Sequence, residues 1–301
     1  MVFYVLIMRE KVIYALGFFD GVHLGHQALL TACRELSSQT GCKAGAVTFG
    51  IHPETLVAGK APELINSVED RKGLLSAYGI EEILVLPFDR TLQTTHWASF
   101  LTQLVEAGAA GFVCGSDFRF GSGGLGTAKK LAAFCQERGL SYQIVPQQFL
   151  QEVRISSTHI RQLLTAGDVD QAAVFLGHPH ILTGTVVPGR GLGHTIGIPT
   201  ANLQIPDGVL LPKSGVYACQ AWAEGKCYPA VTNIGSRPTV DGHHVTVEPW
   251  LLDFEGDLYG KQVSLSFHSF LREEEKFPSL EELKAQILKD AAKTRELLNQ
   301  N

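Results

Sequence analysis

A turn between a predicted strand and a predicted helix near the start of the chain carries two imidazoles, three glycines and a carboxylate. Its residues are Gly17, Asp20, Gly21, His23, Gly25 and His26. The glycines allow a sharp turn and the close approach of a bulky anion, and the following helix presents unpaired N–H groups at its positive end. The histidines, spaced H-x-G-H, can neutralise phosphate oxygens and stabilise the charge that develops when an α-phosphate is attacked. We therefore predict a phosphate site for nucleotidyl transfer, although an isolated histidine would more often be structural.

A second candidate for phosphate binding lies in ISSTHIRQLL. Ser156, Ser157 and Thr158 offer hydroxyl groups at the start of a predicted helix, and Arg161 follows within its first turn. Hydroxyls and amides at a helix N-terminus, with a guanidinium beside them, suit the β- and γ-phosphates of a nucleotide. The alternative is an ordinary helix cap with an exposed arginine. Agreement with the H-x-G-H turn on one ligand favours the phosphate interpretation.

The glycine-rich stretch GSDFRFGSGGLGTAKK imitates a phosphate loop between Gly121 and Thr127. The P-loop pattern requires lysine directly after its last glycine, and Thr127 occupies that place here, so we reject that interpretation. Asp117, Phe118 and Arg119 precede the loop at the end of a predicted strand. There they either line a ligand site or belong to a loop whose phenylalanines fill the core.

The stretch GRGLGHTIGIPTANL is the densest motif of the second half and predicts another phosphate site. Its loop residues are Gly189, Arg190, Gly191, Gly193 and His194. Backbone amides of such a loop can approach phosphate, and the arginine or the histidine can add positive charge. Thr200 and Asn202 lie two apart on an extended chain, so their side chains point to one face. Two oxygen donors suit Mg²⁺, which keeps waters and substrate phosphates in its other positions.

A carboxylate in an otherwise apolar strand follows in VEPWLLDF. A buried Glu248 would be costly unless it is paired or used chemically. We predict that it is the general base that takes the proton from an alcohol attacking a γ-phosphate, with a salt-bridged edge glutamate as the structural alternative. Arg272 and Phe277, in LREEEKF, are candidates to frame an aromatic ligand.

Composition and charge limit the partners and the location that we expect. The 301 residues carry a formal net charge of −5, and 45% are hydrophobic, which is typical of a folded globular chain. No Lys/Arg-rich run offers the basic footprint that nucleic acid requires, so the expected partners are small molecules. The apolar start MVFYVLIMRE lacks a basic leader and predicts a buried strand, not a membrane segment. Six cysteines without C-x-x-C pairing predict reduced thiols, mostly in the core, and a cytoplasmic protein. The oligomeric state stays open.

The chain divides into two patterns. Up to about residue 176, strand-like and helix-like segments alternate, which predicts a parallel sheet with its ligand site beyond the carboxyl ends of the strands. Short strands separated by Gly and Pro follow, and predict a small antiparallel barrel or sandwich. We expect the boundary within residues 177–183. In the closing helix, Ser279 and Glu282 form a predicted capping box. The apolar face of that helix would contain Leu280, Leu283 and Ile287.

Both halves resemble known enzymes. GFFDGVHLGHQ, GSDFRFG and ISSTHIRQLL follow the pattern of FAD synthetases, which belong to the nucleotidylyltransferase superfamily. GRGLGHTIGIPTANL, GVYA, NIGSRPTV, VEPWLLDF, DLYG and FLREEEKFPSLEELKAQI follow, in order, the pattern of riboflavin kinases. Nearly end to end, the chain is similar to the prokaryotic bifunctional riboflavin kinase/FAD synthetase family.

That resemblance implies a fold and an activity. The fold would be a Rossmann-like α/β FMN adenylyltransferase domain at residues 1–178 and a riboflavin kinase domain at residues 179–301, a six-stranded barrel with a C-terminal helix. The activity would be phosphorylation of riboflavin to FMN, followed by adenylylation of FMN to FAD with release of pyrophosphate, with ATP as substrate and Mg²⁺ as cofactor.

The resemblance also assigns roles to residues. The ATP ligands for adenylyl transfer would be His23, His26, Ser157, Thr158 and Arg161, together with the glycines and the aspartate of the turn. Thr200 and Asn202 would hold the kinase Mg²⁺, and Glu248 would be the base. The nucleotide and flavin site of the first half would be lined by Asp117, Phe118 and Arg119.

Departures from the family pattern lie mainly in the first half. Phe18 replaces the asparagine of G-N-F-D-G, Gly50 and Ile51 replace the D-P of T-F-D-P-H-P, and the loop 122–125 has no basic residue. Two alternatives therefore stay open: a single-function riboflavin kinase with a degenerate first half, or a flavin-sensing protein without turnover.

Overall fold

The computed structural model describes residues 10–52, 54–57, 62–189, 197–239 and 242–299. The strand predicted for MVFYVLIM and the loop residues Arg190, Gly191, Gly193 and His194 lie outside the described residues. The chain forms two compact units, which consist of Met1–Leu64 with Arg71–Ser156 and of Ile65–Asp70 with Ser157–Asn301. The segment Ile65–Asp70 thus packs with the second unit although it comes from the first half of the chain.

The first unit is built on a five-stranded sheet with strand order β3-β2-β1-β4-β7. Its strands are β1 (Val12–Leu16), β2 (Lys43–Phe49), β3 (Glu82–Leu86), β4 (Ala109–Gly115) and β7 (Ser141–Val145). The helices of this half of the chain are α1 (Leu24–Thr40), α2 (Glu54–Val57), α3 (Val68–Ala77), α4 (Arg90–Thr94), α5 (Trp97–Glu106) and α6 (Ala128–Arg138). Two short hairpins are β5 (Arg119–Phe120) with β6 (Gly126–Thr127), and β8 (Phe149–Leu150) with β9 (Val153–Arg154). All four pairings of the main sheet are parallel, so the predicted parallel α/β fold is confirmed.

Strand β1 is central in this sheet, and all five of its residues are buried. Val12, Tyr14 and Leu16 belong to a core that also contains Leu101 of α5 and Leu131 of α6. Parallel strands end at one edge of a sheet, so the segments that follow β1, β2 and β4 lie at the same edge. These segments begin at Gly17, Gly50 and Ser116. The H-x-G-H motif and the DFRFG segment therefore leave the sheet on the same side.

The second unit contains a closed antiparallel barrel with strand order β10-β11-β14-β13-β12-β15. Its strands are β10 (His180–Val187), β11 (Asn202–Gln204), β12 (Gly215–Ala223), β13 (Lys226–Thr239), β14 (Gly242–Leu251) and β15 (Gln262–Arg272). Closure depends on the pairing of β10 with β15, in which His180 lies opposite Phe267 and Thr185 opposite Gln262. Side chains along β10 alternate between buried and half-buried, as expected when one face lines a barrel interior. The barrel is therefore the correct one of the two predicted all-β folds.

Among the described residues of the second unit, three helices accompany the barrel: α7 (Ser157–Ala166), α8 (Val169–Leu176) and α9 (Leu280–Asn299). The predicted cap of α9 is confirmed, because Ser279 Oγ accepts a hydrogen bond from the backbone N–H of Glu282 at 3.2 Å. The predicted apolar face is wrong at Leu280, which is 59% exposed. The helix packs through its second half, where Ala291 contacts a cluster that includes Val216 of β12 and Val231 of β13.

The cysteines are free thiols, and most of them lie in the core as predicted. Cys33, Cys114, Cys135 and Cys219 are buried, Cys42 is half-buried and Cys227 is exposed. Burial raises the pKa of the Cys114 and Cys219 thiols to about 12. These two thiols therefore stay protonated and unreactive at neutral pH.

A histidine inside the barrel gives the second unit an acid-sensitive core. His180 is fully buried at the start of β10, and neither of its ring nitrogens has a hydrogen-bond partner among the described residues. Burial, assisted by His178, lowers the pKa of His180 from 6.5 to about 3. The folded chain therefore keeps this ring neutral at a pH where the unfolded chain protonates it.

We expect the free energy of unfolding to fall as the pH drops from 6.5 toward 3, in part because of His180. In this window only the unfolded chain binds a proton at this site, which removes about 1.4 kcal/mol per pH unit, or about 2 kcal/mol at pH 5. Urea unfolding of wild type and His180→Leu between pH 7 and pH 5 measures the effect. The free energy of unfolding of the variant should fall less per pH unit than that of wild type. Equal dependence on pH in the two proteins would show that His180 does not cause the acid sensitivity.

Candidate functional sites

The H-x-G-H turn connects β1 to α1. His23 is the N-cap of α1, and its Nδ1 accepts a hydrogen bond from the backbone N–H of His26 at 3.2 Å. Because Nδ1 accepts, the neutral His23 ring carries its proton on Nε2, which is then a donor. The strand, turn and helix that the sequence predicts around this motif are confirmed. The motif thus combines imidazole donors with the positive end of a 17-residue helix.

The two imidazole rings stack on each other, with centroids 3.6 Å apart and planes inclined by 11°. Burial lowers the pKa of His26 well below its usual 6.5, and the neighbouring His23 and Arg71 lower it further. The Nδ1 atom of His26 is buried, and none of the described residues forms a hydrogen bond with it. His26 therefore stays neutral near pH 7 and offers hydrogen bonding without a permanent charge.

Close packing and backbone conformation favour glycine at three positions of the turn. A Cβ atom at Gly25 would lie 3.2 Å from the His23 ring, and one at Gly17 would lie 3.0 Å from the Phe19 ring. Gly21 has φ of 81°, in the left-handed region that glycine adopts without strain. The spacing of the motif therefore leaves room for the His23 ring against the first turn of α1.

Two charged groups lie beneath this turn. Asp20, which the sequence assigns to ATP binding, is only 2% exposed, and Arg71 of α3 is fully buried. Burial lowers the pKa of Arg71, and the Asp20 carboxylate opposes this effect. Sequence reasoning missed Arg71. The available signal was helical spacing: Leu74 and Leu75 follow Arg71 by three and four residues, which places all three on one face of α3, and that face is buried.

A cavity of about 480 Å³ in the second unit brings together the predicted metal ligands. Thr200 and Asn202 both line it, together with Glu255 and Asp257 from the loop after β14, which sequence reasoning missed. Gly189 lies against Asn202, since a Cβ atom at Gly189 would be 2.1 Å from Asn202 Nδ2. The described end of the glycine loop thus packs directly on one of the two predicted ligands.

Strand register places Glu248 next to this pair. Leu203 of β11 pairs with Val247 of β14, so the antiparallel register puts Asn202 opposite Glu248. On the other side, Asn233 of β13 lies opposite Glu248. Leu203 and Val247 are buried whereas these three polar residues are half-buried, so the polar row faces away from the barrel core. The apolar residues around Glu248 in the sequence predicted a buried side chain, but the Glu248 side chain is half-buried.

Arg272 and Phe277, predicted to frame an aromatic ligand, lie beside each other. The guanidinium carbon of Arg272 is 5.6 Å from the centroid of the Phe277 ring. Asp290 of α9 holds the same guanidinium, with Nε to Oδ2 at 3.0 Å and Nη2 to Oδ2 at 2.9 Å. The terminal helix thus fixes the orientation of Arg272.

An aromatic cavity of about 580 Å³ lies in the first unit. Six phenylalanines line it: Phe18, Phe49, Phe88, Phe100, Phe118 and Phe120. Arg119 adds a guanidinium to the lining. A cavity of this size, with aromatic walls and few polar groups, suits a planar fused-ring ligand. Sequence reasoning found two of its residues, because the others come from segments that only the fold brings together.

The segment after β4 divides between this cavity and the surface. Phe118 and Arg119 line the cavity, but Asp117 pairs with Arg154 at 2.5 Å. The following loop, which has no basic residue of its own, receives one from α6, because Lys130 Nζ donates to the carbonyl of Leu125 at 2.8 Å. The loop therefore has a cation beside it that its sequence alone does not show.

The hydroxyl and arginine candidates of ISSTHIRQLL lie on α7. Ser157 and Thr158 are its first two residues, and Arg161 follows one turn later, so the predicted helix start is confirmed. By its contacts α7 belongs to the second unit. The role of these residues in phosphate binding stays a prediction.

Comparison with known proteins identifies the family of the chain. A model of the FAD synthetase family matches residues 7–159, and a model of the riboflavin kinase family matches residues 176–298. A bifunctional riboflavin kinase/FMN adenylyltransferase of Escherichia coli (strain K12) is 37% identical over 296 residues, which cover 96% of this chain and 93% of the relative. The chain belongs to the bifunctional riboflavin kinase/FMN adenylyltransferase family. The resemblance inferred from the motifs is thereby confirmed.

Two further comparisons show similar coverage of the chain. The Listeria monocytogenes protein of the same description is 33% identical over 287 residues, covering 94% of this chain and 91% of that relative. A solved structure described as a macrolide-efflux protein from Streptococcus pneumoniae superposes with a TM-score of 0.86 at 30% identity, covering 95% of this chain and 94% of the other. Within the part of this chain that the structure describes, no helix has the length and apolar character needed to span a bilayer.

Proposed function

We propose that this chain catalyses two consecutive ATP-dependent transfers to a flavin. The first phosphorylates riboflavin to FMN and releases ADP, and the second adenylylates FMN to FAD and releases pyrophosphate. One observation carries the proposal: each of the two family matches covers a part of the chain that has its own cavity and its own set of donor side chains. Residues 1–178 would form the adenylyltransferase domain and residues 179–301 the kinase domain.

In adenylyl transfer, a phosphate oxygen of FMN attacks the α-phosphorus of ATP, and the bond to the β-phosphate oxygen breaks. Negative charge develops on the α-phosphate oxygens and on the departing pyrophosphate. His23, through its Nε2–H, and His26 donate to these oxygens at the N-terminus of α1, where the helix dipole adds to the effect. Ser157, Thr158 and Arg161 bind the β- and γ-phosphates.

The flavin of the adenylyl-transfer step occupies the aromatic cavity of the first unit. Its phenylalanine walls, among them Phe18 and Phe118, provide faces and edges for ring packing, and Arg119 provides a cation. Phe18, which departs from the usual asparagine, is itself a wall of this cavity. An apolar ring therefore stands where the family pattern has a polar amide, and the cavity remains open.

In the kinase step, the terminal hydroxyl of the riboflavin ribityl chain attacks the γ-phosphorus of ATP, and ADP leaves. Glu248 accepts the hydroxyl proton. Its position opposite Asn202 places a carboxylate beside the cavity that the predicted metal ligands line. Arg272, fixed by Asp290, and Phe277 frame the flavin ring.

The donors in the kinase cavity fit Mg²⁺. The Thr200 hydroxyl and the Asn202 amide oxygen are hard oxygen ligands that line one cavity, and acidic Glu255 and Asp257 line it too. Bound there, Mg²⁺ would neutralise phosphate charge as the γ-phosphate is transferred. This site uses a hydroxyl and an amide, and the described residues contain no cluster of three or more His, Cys, Asp or Glu suited to a metal.

The expected partners are the small molecules ATP, riboflavin and FMN, and the expected location is the cytoplasm. Free thiols, two of them only partly buried or exposed, support a reducing compartment.

The experiment that tests both activities supplies each flavin separately. Purified protein with riboflavin, ATP and Mg²⁺ should form FMN and then FAD, and protein supplied with FMN should form FAD directly. FMN from riboflavin without FAD from FMN would establish the single-function kinase instead. Tight flavin binding without release of ADP would establish the flavin sensor.

Gly189→Ala should weaken the kinase step selectively. The new Cβ atom would lie 2.1 Å from Asn202 Nδ2, so the Asn202 side chain has to move away from its place in the cavity. Loss of one well-placed ligand contact of this kind typically lowers activity by about 10- to 100-fold. Steady-state kinetics of FMN formation at varied MgATP measures the effect. Gly73→Ala, where a Cβ atom meets nothing within 4 Å, is the control and should behave as wild type.

A further inference from the structure

The turn that carries the H-x-G-H motif is held in a strained backbone conformation. Phe19 has φ of 59° and Val22 has φ of 40°, and Gly21 between them has φ of 81°. Non-glycine residues in this region are strained, and they persist only where surrounding contacts hold them. The turn therefore depends on groups outside it.

Two donors from outside the turn converge on one carbonyl group. Thr48 Oγ1, from β2, donates to the carbonyl oxygen of Phe18 at 2.7 Å. Arg71 Nη1, from α3, donates to the same oxygen at 2.8 Å and to Thr48 Oγ1 at 3.0 Å. The Arg71 guanidinium also lies over the Phe18 ring, 4.4 Å from its centroid. The peptide unit that precedes the strained Phe19 is thus held from two sides.

The held peptide unit is coupled to the imidazoles by packing. The Phe19 ring, fully buried, contacts His26 edge-on with centroids 5.3 Å apart. At the far end of the turn, the Gln27 amide donates to the carbonyl of Val22 at 2.9 Å. A shift of the Phe18 carbonyl would therefore move Phe19 and, through it, the His26 ring.

Burying the Arg71 side chain costs folding free energy. The side chain is fully buried, and within the described part of the chain its Nε and Nη2 have no hydrogen-bond partner. A buried guanidinium with unsatisfied donors costs free energy that an apolar side chain of similar length would avoid. The hydrogen bonds of Arg71 go to the Phe18 carbonyl and to Thr48. The carboxylate that favours its charge is Asp20, which belongs to the turn, so the cation serves the turn more than the core.

We infer that Arg71 is a positioning residue for adenylyl transfer, an inference that rests on the function proposed above. With Thr48, it fixes the strained turn so that His23 and His26 face the reacting phosphate in one orientation. It does not touch substrate. Replacing Arg71 leaves the groups that bind substrate present but lets the turn relax. Stabilisation of the transition state should therefore fall more than binding of the substrate in the ground state.

The test compares Arg71→Met, Arg71→Lys and the control Arg34→Met, which removes an exposed arginine from α1. For FAD formation from FMN and ATP, Arg71→Met should lower kcat on the order of 10²-fold, with both KM values within about threefold of wild type. Arg71→Lys keeps a cation and a donor for the Phe18 carbonyl, so its kcat should be at least tenfold higher than that of Arg71→Met. Arg34→Met should match wild type, and all three should phosphorylate riboflavin at the wild-type rate.

The possible outcomes separate this inference from the proposed function. If wild type forms no FAD from FMN, the proposed adenylyl transfer fails. If wild type forms FAD and Arg71→Met forms it equally fast, the inference alone is overturned. Equal loss of both activities in Arg71→Met and Arg71→Lys would also overturn it, because Arg71 would then be needed for folding. If Arg71→Met does not fold, Arg71→Lys decides: a lower kcat at unchanged KM supports positioning, and a change in KM alone contradicts it.

Discussion

Glu248→Gln is expected to lower FMN formation from riboflavin by about 10³-fold, the usual contribution of a positioned general base. Glutamine keeps the size of the side chain and its place opposite Asn202 but cannot accept the hydroxyl proton. FAD formation from supplied FMN should proceed at the wild-type rate, because the FAD synthetase match ends at residue 159. Separate assays with riboflavin and with FMN measure the two effects.

A matched control for this variant is Glu296→Gln, which makes the same change on the exposed side of α9. It should leave both activities unchanged. FMN formation by Glu248→Gln within tenfold of wild type would exclude Glu248 as the base, and loss of both activities would indicate misfolding or a shared site.

His26→Ala should have the opposite effect. Removing one donor to a developing oxyanion costs about 10²- to 10³-fold in rate, so FAD formation from FMN should fall by that factor. The loss should appear in kcat, because the ring acts on charge that develops only in the transition state. FMN formation from riboflavin should be unchanged.

His96→Ala serves as the control for this change. His96 is exposed in the same unit at the start of α5, where its Nδ1 accepts a backbone N–H from Ala98 at 3.3 Å. His96→Ala therefore removes a histidine from a helix start outside the H-x-G-H turn. A comparable fall in FAD formation in both variants would attribute the effect to helix stability and not to catalysis.

Local features of the sequence were enough to predict most elements and both motifs. Hydrophobic runs with β-branched residues mark β1, β2 and β4, and Ser279 marks the start of α9 because its capping contact is local. The H-x-G-H spacing has a local cause as well, since Gly25 leaves room for the His23 ring. Such features depend on residues within a few positions of each other.

What sequence reasoning missed depends on distant residues. The choice between barrel and sandwich depends on β10 pairing with β15, about 80 residues later. Arg71 meets the Phe18 carbonyl across 53 positions of sequence. Asp117 turns to Arg154 because a later hairpin brings that guanidinium to it. Helical periodicity put Leu280 on an apolar face, but the buried residues of α9 are Asp290, Ala291 and Thr294 in its second half.

The fate of labelled phosphorus tests the central claim most directly. Wild-type protein is incubated with riboflavin, Mg²⁺ and ATP labelled with radioactive phosphorus at the γ-position or, in a parallel reaction, at the α-position. Two separate transfers predict γ-label in FMN, in FAD and in pyrophosphate, and α-label in FAD but not in FMN. Absence of α-label from every flavin product would contradict the adenylyl transfer, and absence of γ-label from FMN would contradict the kinase.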